Sequence, residues 1–291
     1  MKTIKINSLE DLENKISEYN KDFNCWFRGQ SNSDYLLQPG AYRELYVIKD
    51  HYNLPVRPTM LGPGDYNSRG DSIFIPAEIY LDLFIKILKQ RSMEFDDKLS
   101  RLTLACIGQH YGLKTRLLDW SSDATVALFF ATEDIKKDSE AAFFILRPDL
   151  YNEKVTGESK IFDVDDICKL DCDYAPVAFN GPKNTKRICR QSGNFTIHGR
   201  NVWPFDKYEC FDEVIYKFTL SYELSLEIQK KLRSLGINKD SIYVNNDFRE
   251  EVAKEVIDLS KKEIKNFLTE KEIEWKSLPN SERGYNRYLQ Q

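Results

Sequence analysis

The sequence predicts an α+β fold: a single compact mixed sheet flanked by helices, with a helical C-terminal extension. Three observations point there. Apolar segments with period 2 alternate with segments of period 3.6, but without the regular spacing of repeated β-α-β units. At 291 residues, with 41% hydrophobic and 13% aromatic residues, the chain can bury a sizeable core. Turn residues concentrate in one stretch, about residues 31–76, which includes Pro39-Gly40, Pro55, Pro58 and Gly62-Pro63-Gly64. That stretch reads as a long irregular insertion with a helical piece near Arg43 to Lys49. Residues 1–258 are expected to form the domain and residues 259–291 a charged helical tail.

The elements follow in order. Residues 2–7 alternate as a strand. Ser8 then caps a helix that runs to about Tyr19, with Asp11 and Glu13 in its first turn. Asn24 to Arg28 reads as a strand cut by Gly29. Ala77 to Arg91 is amphipathic, with Ile79, Leu83, Ile87 and Leu88 expected on the buried face. A second helix spans Asp97 to Tyr111, and Gly112 ends it as a left-handed glycine does. Asp123 to Ile135 reads as a buried helix and Ala141 to Leu146 as a strand. Residues 151–182 read as a charged excursion. Strand material is expected in Thr185 to Ile197 and in Asp212 to Leu220. Helices are expected over Ser221 to Leu235 and Asp247 to Leu268.

Composition excludes some classes. The net charge of −4 argues against a broad electrostatic nucleic-acid surface. One basic region, Lys183, Lys186, Arg187, Arg190 and Arg200, is either a solvated loop or an anion-binding edge. No apolar run is long enough to span a membrane, and the N-terminal residues lack a secretory pattern, so a cytoplasmic protein is expected. Of six cysteines, only Cys168 and Cys172 lie close together, and no histidine cluster completes a zinc set. Mostly buried, reduced thiols and no bound metal are therefore expected.

The stretch Gln109 to Ser122 places a histidine, a tyrosine, an arginine, an aspartate and two serines around Gly112, between two apolar elements. His110 can serve as a general base near neutral pH. Tyr111 can stack on a flat ring. Arg116 and Asp119 either act on a ligand or pair with each other. Arg28, followed by Gly29 and Gln30, either holds a phosphate through its fork of donors or ties its strand to buried carbonyls or to Asp119. Gly29 would leave room for a ligand to approach the backbone. Ser121 and Ser122 either bond a ligand hydroxyl or cap the following helix.

Phe27-Arg28-Gly29 and His110-Tyr111-Gly112-(x)2-Thr115-Arg116-Leu117-Leu118-Asp119-Trp120 resemble the signatures of the bacterial FRG domain. Arg187-(x)3-Gln191-(x)-Gly193-(x)-Phe195-Thr196 and Leu235-Gly236-Ile237 extend the resemblance over roughly residues 5–255. Such domains are often found among mobile or defence-associated genes. The resemblance implies a toxin or phage-defence role, with a protein or nucleic-acid target or a neutralising antitoxin as partner. A weaker similarity to ADP-ribosyltransferases implies NAD or a related nucleotide as substrate. Arg28 and Arg187 would then bind phosphate, Gly29, Gln30, Tyr111 and Arg116 would line the pocket, and Ser121 or Ser122 would bond the ribose. That family also uses a glutamate on a late strand, but residues 185–195 contain no Glu or Asp. Gln191 stands in that region, and the catalytic assignment falls on His110, Asp119 and Gln191. A metal-independent RNA-processing or RNA-binding module and a non-catalytic partner-binding domain remain the alternatives.

Overall fold

Ser8 and Ser221 each stand before an apolar-periodic run, and each caps a helix through its side chain: Ser8 Oγ accepts from Asp11 N at 3.1 Å and Ser221 Oγ from Leu224 N at 3.2 Å. The computed structural model describes residues 1–21, 24–44, 46, 68–69, 72–73, 76–91, 98–170, 175–183, 186–199, 204–207, 213–243 and 248–277. In chain order the elements are β1 (Thr3–Ile6), α1 (Leu9–Asn20), β2 (Trp26–Gln30), β3 (Ser68–Arg69), β4 (Ser72–Ile73), α2 (Ala77–Gln90), α3 (Arg101–His110), β5 (Leu117–Ser121), α4 (Ala124–Thr132), β6 (Ala141–Leu146), α5 (Pro148–Thr156), α6 (Val164–Ile167), β7 (Val177–Asn180), α7 (Lys186–Arg190), β8 (Gly193–Ile197), β9 (Ile215–Leu220), α8 (Tyr222–Ser234), α9 (Lys239–Ile242) and α10 (Phe248–Ser277). The α+β class is as expected. Most of the 31–76 insertion, including residues 47–49 of its expected helical piece, lies outside the described residues, as do residues 278–291 of the expected tail. α10 runs unbroken across residue 258.

The chain divides into two compact units. The first comprises residues 1–37, 117–198 and 204–247 and holds the mixed sheet, ordered β1-β9-β6-β2-β5-β8-β7. β1 and β9 are parallel and the other pairs are antiparallel. β6 is buried at all of its positions, as its continuous apolar run requires of a strand covered on both faces. Phe27, Phe143, Ile145 and Phe218 pack under α1, α4 and α8 on one face. Trp26, Trp120, Phe144 and Leu146 pack with Tyr151 of α5 and Phe205 on the other.

The second unit comprises residues 38–116, 199–203 and 248–291. Among its described residues α2 packs on α3 and α10. α2 buries Ala77, Tyr80, Phe84, Ile87 and Leu88. Ile79 and Leu83, expected on that face, are half-buried instead, because turning the helix toward Tyr80 and Phe84 buries the larger aromatic area. In α10, Val252, Ala253, Val256 and Ile264 line one buried stripe at helical spacing. β3 and β4 form a two-residue ladder.

Three other expectations are corrected, and the strand expected within 185–197 is present as β8. β2 does not end at Gly29 but continues to Gln30, with Gly29 opposite Phe143. The excursion at 151–182 contains a strand, β7, paired with β8. The region 185–197 holds the helix α7 before its strand. Cys168 and Cys189 are exposed, while Cys25 and Cys106 are buried; burial pushes the Cys25 thiol up to about 11. Among the described residues no helix is long and apolar enough to cross a membrane.

Candidate functional site

In the first unit, β2 is laddered to β6 over five residues and β5 to β8 over five, yet β2 meets β5 at a single pair, Phe27 opposite Ser121. Beyond that pair the two strands form a fork. Arg28 follows it and closes the gap. Its Nη1 donates to the Asp119 carbonyl at 2.7 Å and stands 3.9 Å from Asp119 Oδ2. A side chain thus supplies the cross-strand bond that the backbone ladder lacks. A charge-assisted bond of this kind contributes about 1.5–3 kcal/mol. The Arg28 side chain is 13% exposed and that of Asp119 40%, so a nearly enclosed guanidinium lies beside a half-buried carboxylate whose Oδ1 is enclosed.

Arg28 shares its sheet face with Trp26 and Gln30, since alternate strand residues point the same way. Phe144 is its partner on β6, and Lys217 is the next residue in that row. Lys217 Nζ lies 5.8 Å from the Phe144 ring centre and donates to Ser33 O at 2.6 Å. Gln30 is buried; its Nε2 reaches Leu36 O at 3.4 Å, and its Oε1 has no hydrogen-bond partner among the described residues.

Gly29 has a packing reason. A Cβ there would come 1.9 Å from the Ala127 carbonyl and 2.4 Å from Ala131 N. The space that the sequence reading assigned to a ligand is filled by α4. The glycine is needed because the backbones of strand and helix touch.

Ser121, Ser122 and Gln191 are joined at the start of α4. Ser121 Oγ donates to Gln191 O at 2.8 Å and accepts from Asp123 N at 3.0 Å. Ser122 N and Oγ both donate to Ser192 O, at 3.1 and 3.4 Å. Asp123, the helix cap, accepts from Thr125 N and Thr125 Oγ1. Gln191 Nε2 points to Ile242 O at 3.5 Å. The serines and the glutamine thus bind β5, β8 and α9 together.

Arg187 and Arg190, the expected phosphate ligands of the basic region, also face α9. The Arg187 guanidinium lies 4.9 Å from the Tyr243 ring centre, and Arg190 Nη1 donates to the carbonyls of Asp240 and Tyr243, each at 3.3 Å. Tyr243 OH donates to Glu133 Oε2 at 3.2 Å, and Lys239 Nζ lies 2.8 Å from Glu133 Oε1. Burial pushes the Tyr243 hydroxyl up to about 12, with Glu133 adding to it. The sequence reading missed this Glu133 cluster. A signal was present: an acid directly after the buried apolar run of α4, at the end of the helix where the dipole disfavours negative charge.

His110, Tyr111 and Arg116 belong to the second unit. His110 and Tyr111 are buried. Tyr111 OH accepts from Arg249 Nη1 at 3.4 Å, and the same guanidinium lies 5.8 Å from its ring centre. Thr115 Oγ1 donates to Gln109 Oε1 at 2.5 Å. Gly112 has φ +94°, and Leu113 N returns to Gly108 O at 2.9 Å, the left-handed helix end expected from sequence. Arg116 lies near Tyr42, whose hydroxyl burial pushes up while Arg116 opposes the shift. Lys114 pairs with Glu44, whose carboxyl is held below its usual value by the Lys114 hydrogen bond.

The structure therefore brings Arg28 and Asp119 into one arrangement and Ser121, Ser122 and Gln191 into another. Residues 23–140 match the family model described as the FRG domain, a segment that contains β2, β5 and α4. Comparison with curated proteins and with solved structures found no match.

Proposed function

We propose that the segment matching the FRG domain carries a nucleotide site at the β2/β5 fork, and that the protein is an ADP-ribosyltransferase-like enzyme acting on NAD or a related nucleotide. The supporting observation is the Arg28–Asp119 pair. A guanidinium fixed by a strand carbonyl offers directed donors to a pyrophosphate without first being ordered. The adjoining carboxylate is half-buried, with Oδ1 enclosed and the side chain 40% exposed, and a carboxylate in such a setting can stabilise the positive charge that develops on a ribose as its base leaves. Asp119 takes the part that the family pattern gives to a glutamate.

Calorimetry with NAD over a salt series tests this reading, alongside nicotinamide release. Binding should saturate and depend weakly on salt, since NAD presents two phosphates where an RNA backbone presents many. Arg28→Lys should lose binding while remaining folded, because lysine cannot reproduce the planar fork. No saturation at any salt, with tight RNA binding instead, would reverse the assignment. One observation favours a second reading, a non-catalytic partner-binding domain: Ser121, Ser122 and Gln191 are occupied with one another. Nucleotide binding without nicotinamide release would support it.

A further inference from the structure

On the sheet face opposite Arg28, α1, α4 and α8 enclose a half-open cavity of about 250 Å3. Its lining is almost wholly apolar and includes Leu12, Ile16, Leu128, Ile228, Leu232 and Leu235. Leu12 and Ile228 are buried to about 1% exposure, whereas Leu235 is 60% exposed. The cavity thus grades from a dry floor to an apolar lip in water. Well-packed cores contain few voids larger than a water molecule, and an apolar hole of this size is not a favourable place for water. Two charges lie among the lining residues, Glu13 of α1 and Lys231 of α8, paired with each other and about half-exposed.

The geometry points to a binding site for an alkyl chain bearing a carboxylate, its tail in the cavity and its head on Lys231. Size sets the tail: an apolar cavity of about 150 Å3 takes benzene, so 250 Å3 suits roughly ten carbons. Charge sets the head. An exposed ion pair is weakly held, so a ligand carboxylate can take the place of Glu13 on Lys231 while Glu13 turns to water. The exposed Leu235 then covers the part of the chain nearest the head. This site lies behind the sheet and is independent of the nucleotide reading.

The test is calorimetry of the full chain with sodium decanoate and, separately, with 1-decanol. One equivalent of decanoate should bind. Ala124→Phe, which places a ring among the lining residues, should abolish binding of both probes. Lys231→Met, at a half-exposed position that tolerates substitution, should weaken decanoate about fivefold, because its carboxylate then meets Glu13 with no cation between them, and leave decanol unchanged. Circular dichroism melts confirm that each variant is folded. No saturable decanoate binding by the wild type overturns the proposal, and so does binding that survives Ala124→Phe in a folded protein. Equal weakening of both probes by Lys231→Met removes the carboxylate from it. A wild-type dimer that Leu235→Asp dissociates, without decanoate binding, assigns the face to a second copy of the chain and equally overturns it.

Discussion

Two polar clusters flank the same strand, β5, and they differ in how completely they are closed. At its C-terminal end Ser121 makes two bonds, to Gln191 O and from Asp123 N, and is buried. At its middle, Asp119 lends its carbonyl to Arg28 while its carboxylate is only half-buried. Both sites consist of residue types that carry chemistry, and both take a residue from one short motif. Only the second leaves a charged group accessible beside a fixed partner. Buried polar groups must be satisfied within the protein, so a fully bonded serine is first a structural part, whereas the Asp119 side chain is enclosed on one side only, at 40% exposure.

The largest expected effect lies between the two, where β2 touches α4. Gly29→Ala should destabilise the protein by about 3 kcal/mol or more in urea denaturation, because the added Cβ meets backbone, not a side chain that could move. A near-neutral result would mean that α4 can shift away from β2, and the packing account of Gly29 would fail.

Ser121→Ala comes next. It removes the partner of the buried Gln191 carbonyl and should cost about 1–3 kcal/mol, with nucleotide affinity per folded molecule unchanged. Lost affinity at unchanged stability would erase the contrast and return Ser121 to the site.

Asp119→Asn should do the opposite. Asparagine keeps the backbone carbonyl that Arg28 bonds, so stability should fall by only about 1 kcal/mol, but nicotinamide release should fall on the order of a hundredfold, as when one group that stabilises developing charge is removed. Measuring turnover and melting temperature on the same preparation separates the two effects.

Glu44 gives the smallest effect. The hydrogen bond from Lys114 lowers its pKa below the ordinary 4.5. Its contribution is therefore present above pH 4.5 and lost as the pH falls through the lowered value. After discounting for exposure it should amount to about 0.5 kcal/mol or less. Glu44→Gln should flatten the acid side of the stability profile by that amount; an unchanged profile would show that Lys114 is held by other contacts.

Some of the sheet's polar pairs can be read from spacing. The alternatives for Arg28 named its actual partners, a buried carbonyl and Asp119, because a strand-ending arginine in an apolar setting has few others. The pairing of Arg187 and Arg190 with α9 was not readable, since it depends on which helix comes to lie beside α7. The place of Glu133 after the apolar run of α4 was a signal, but its partners Lys239 and Tyr243 lie over 100 residues downstream and were not readable.

The sequence by itself determined what is decided within about four residues: the cap at Ser8, the left-handed end at Gly112, the apolar run of β6 and hence the α+β class. These rest on local hydrogen bonds and on the period with which apolar residues recur. The tertiary structure decided the strand order β1-β9-β6-β2-β5-β8-β7, the continuation of β2 through Gly29, and the fork that Arg28 closes onto a residue 91 positions away. Such contacts are chosen by the packing of whole faces. A local pattern shows which face of an element is apolar, and only the assembled chain shows what that face meets.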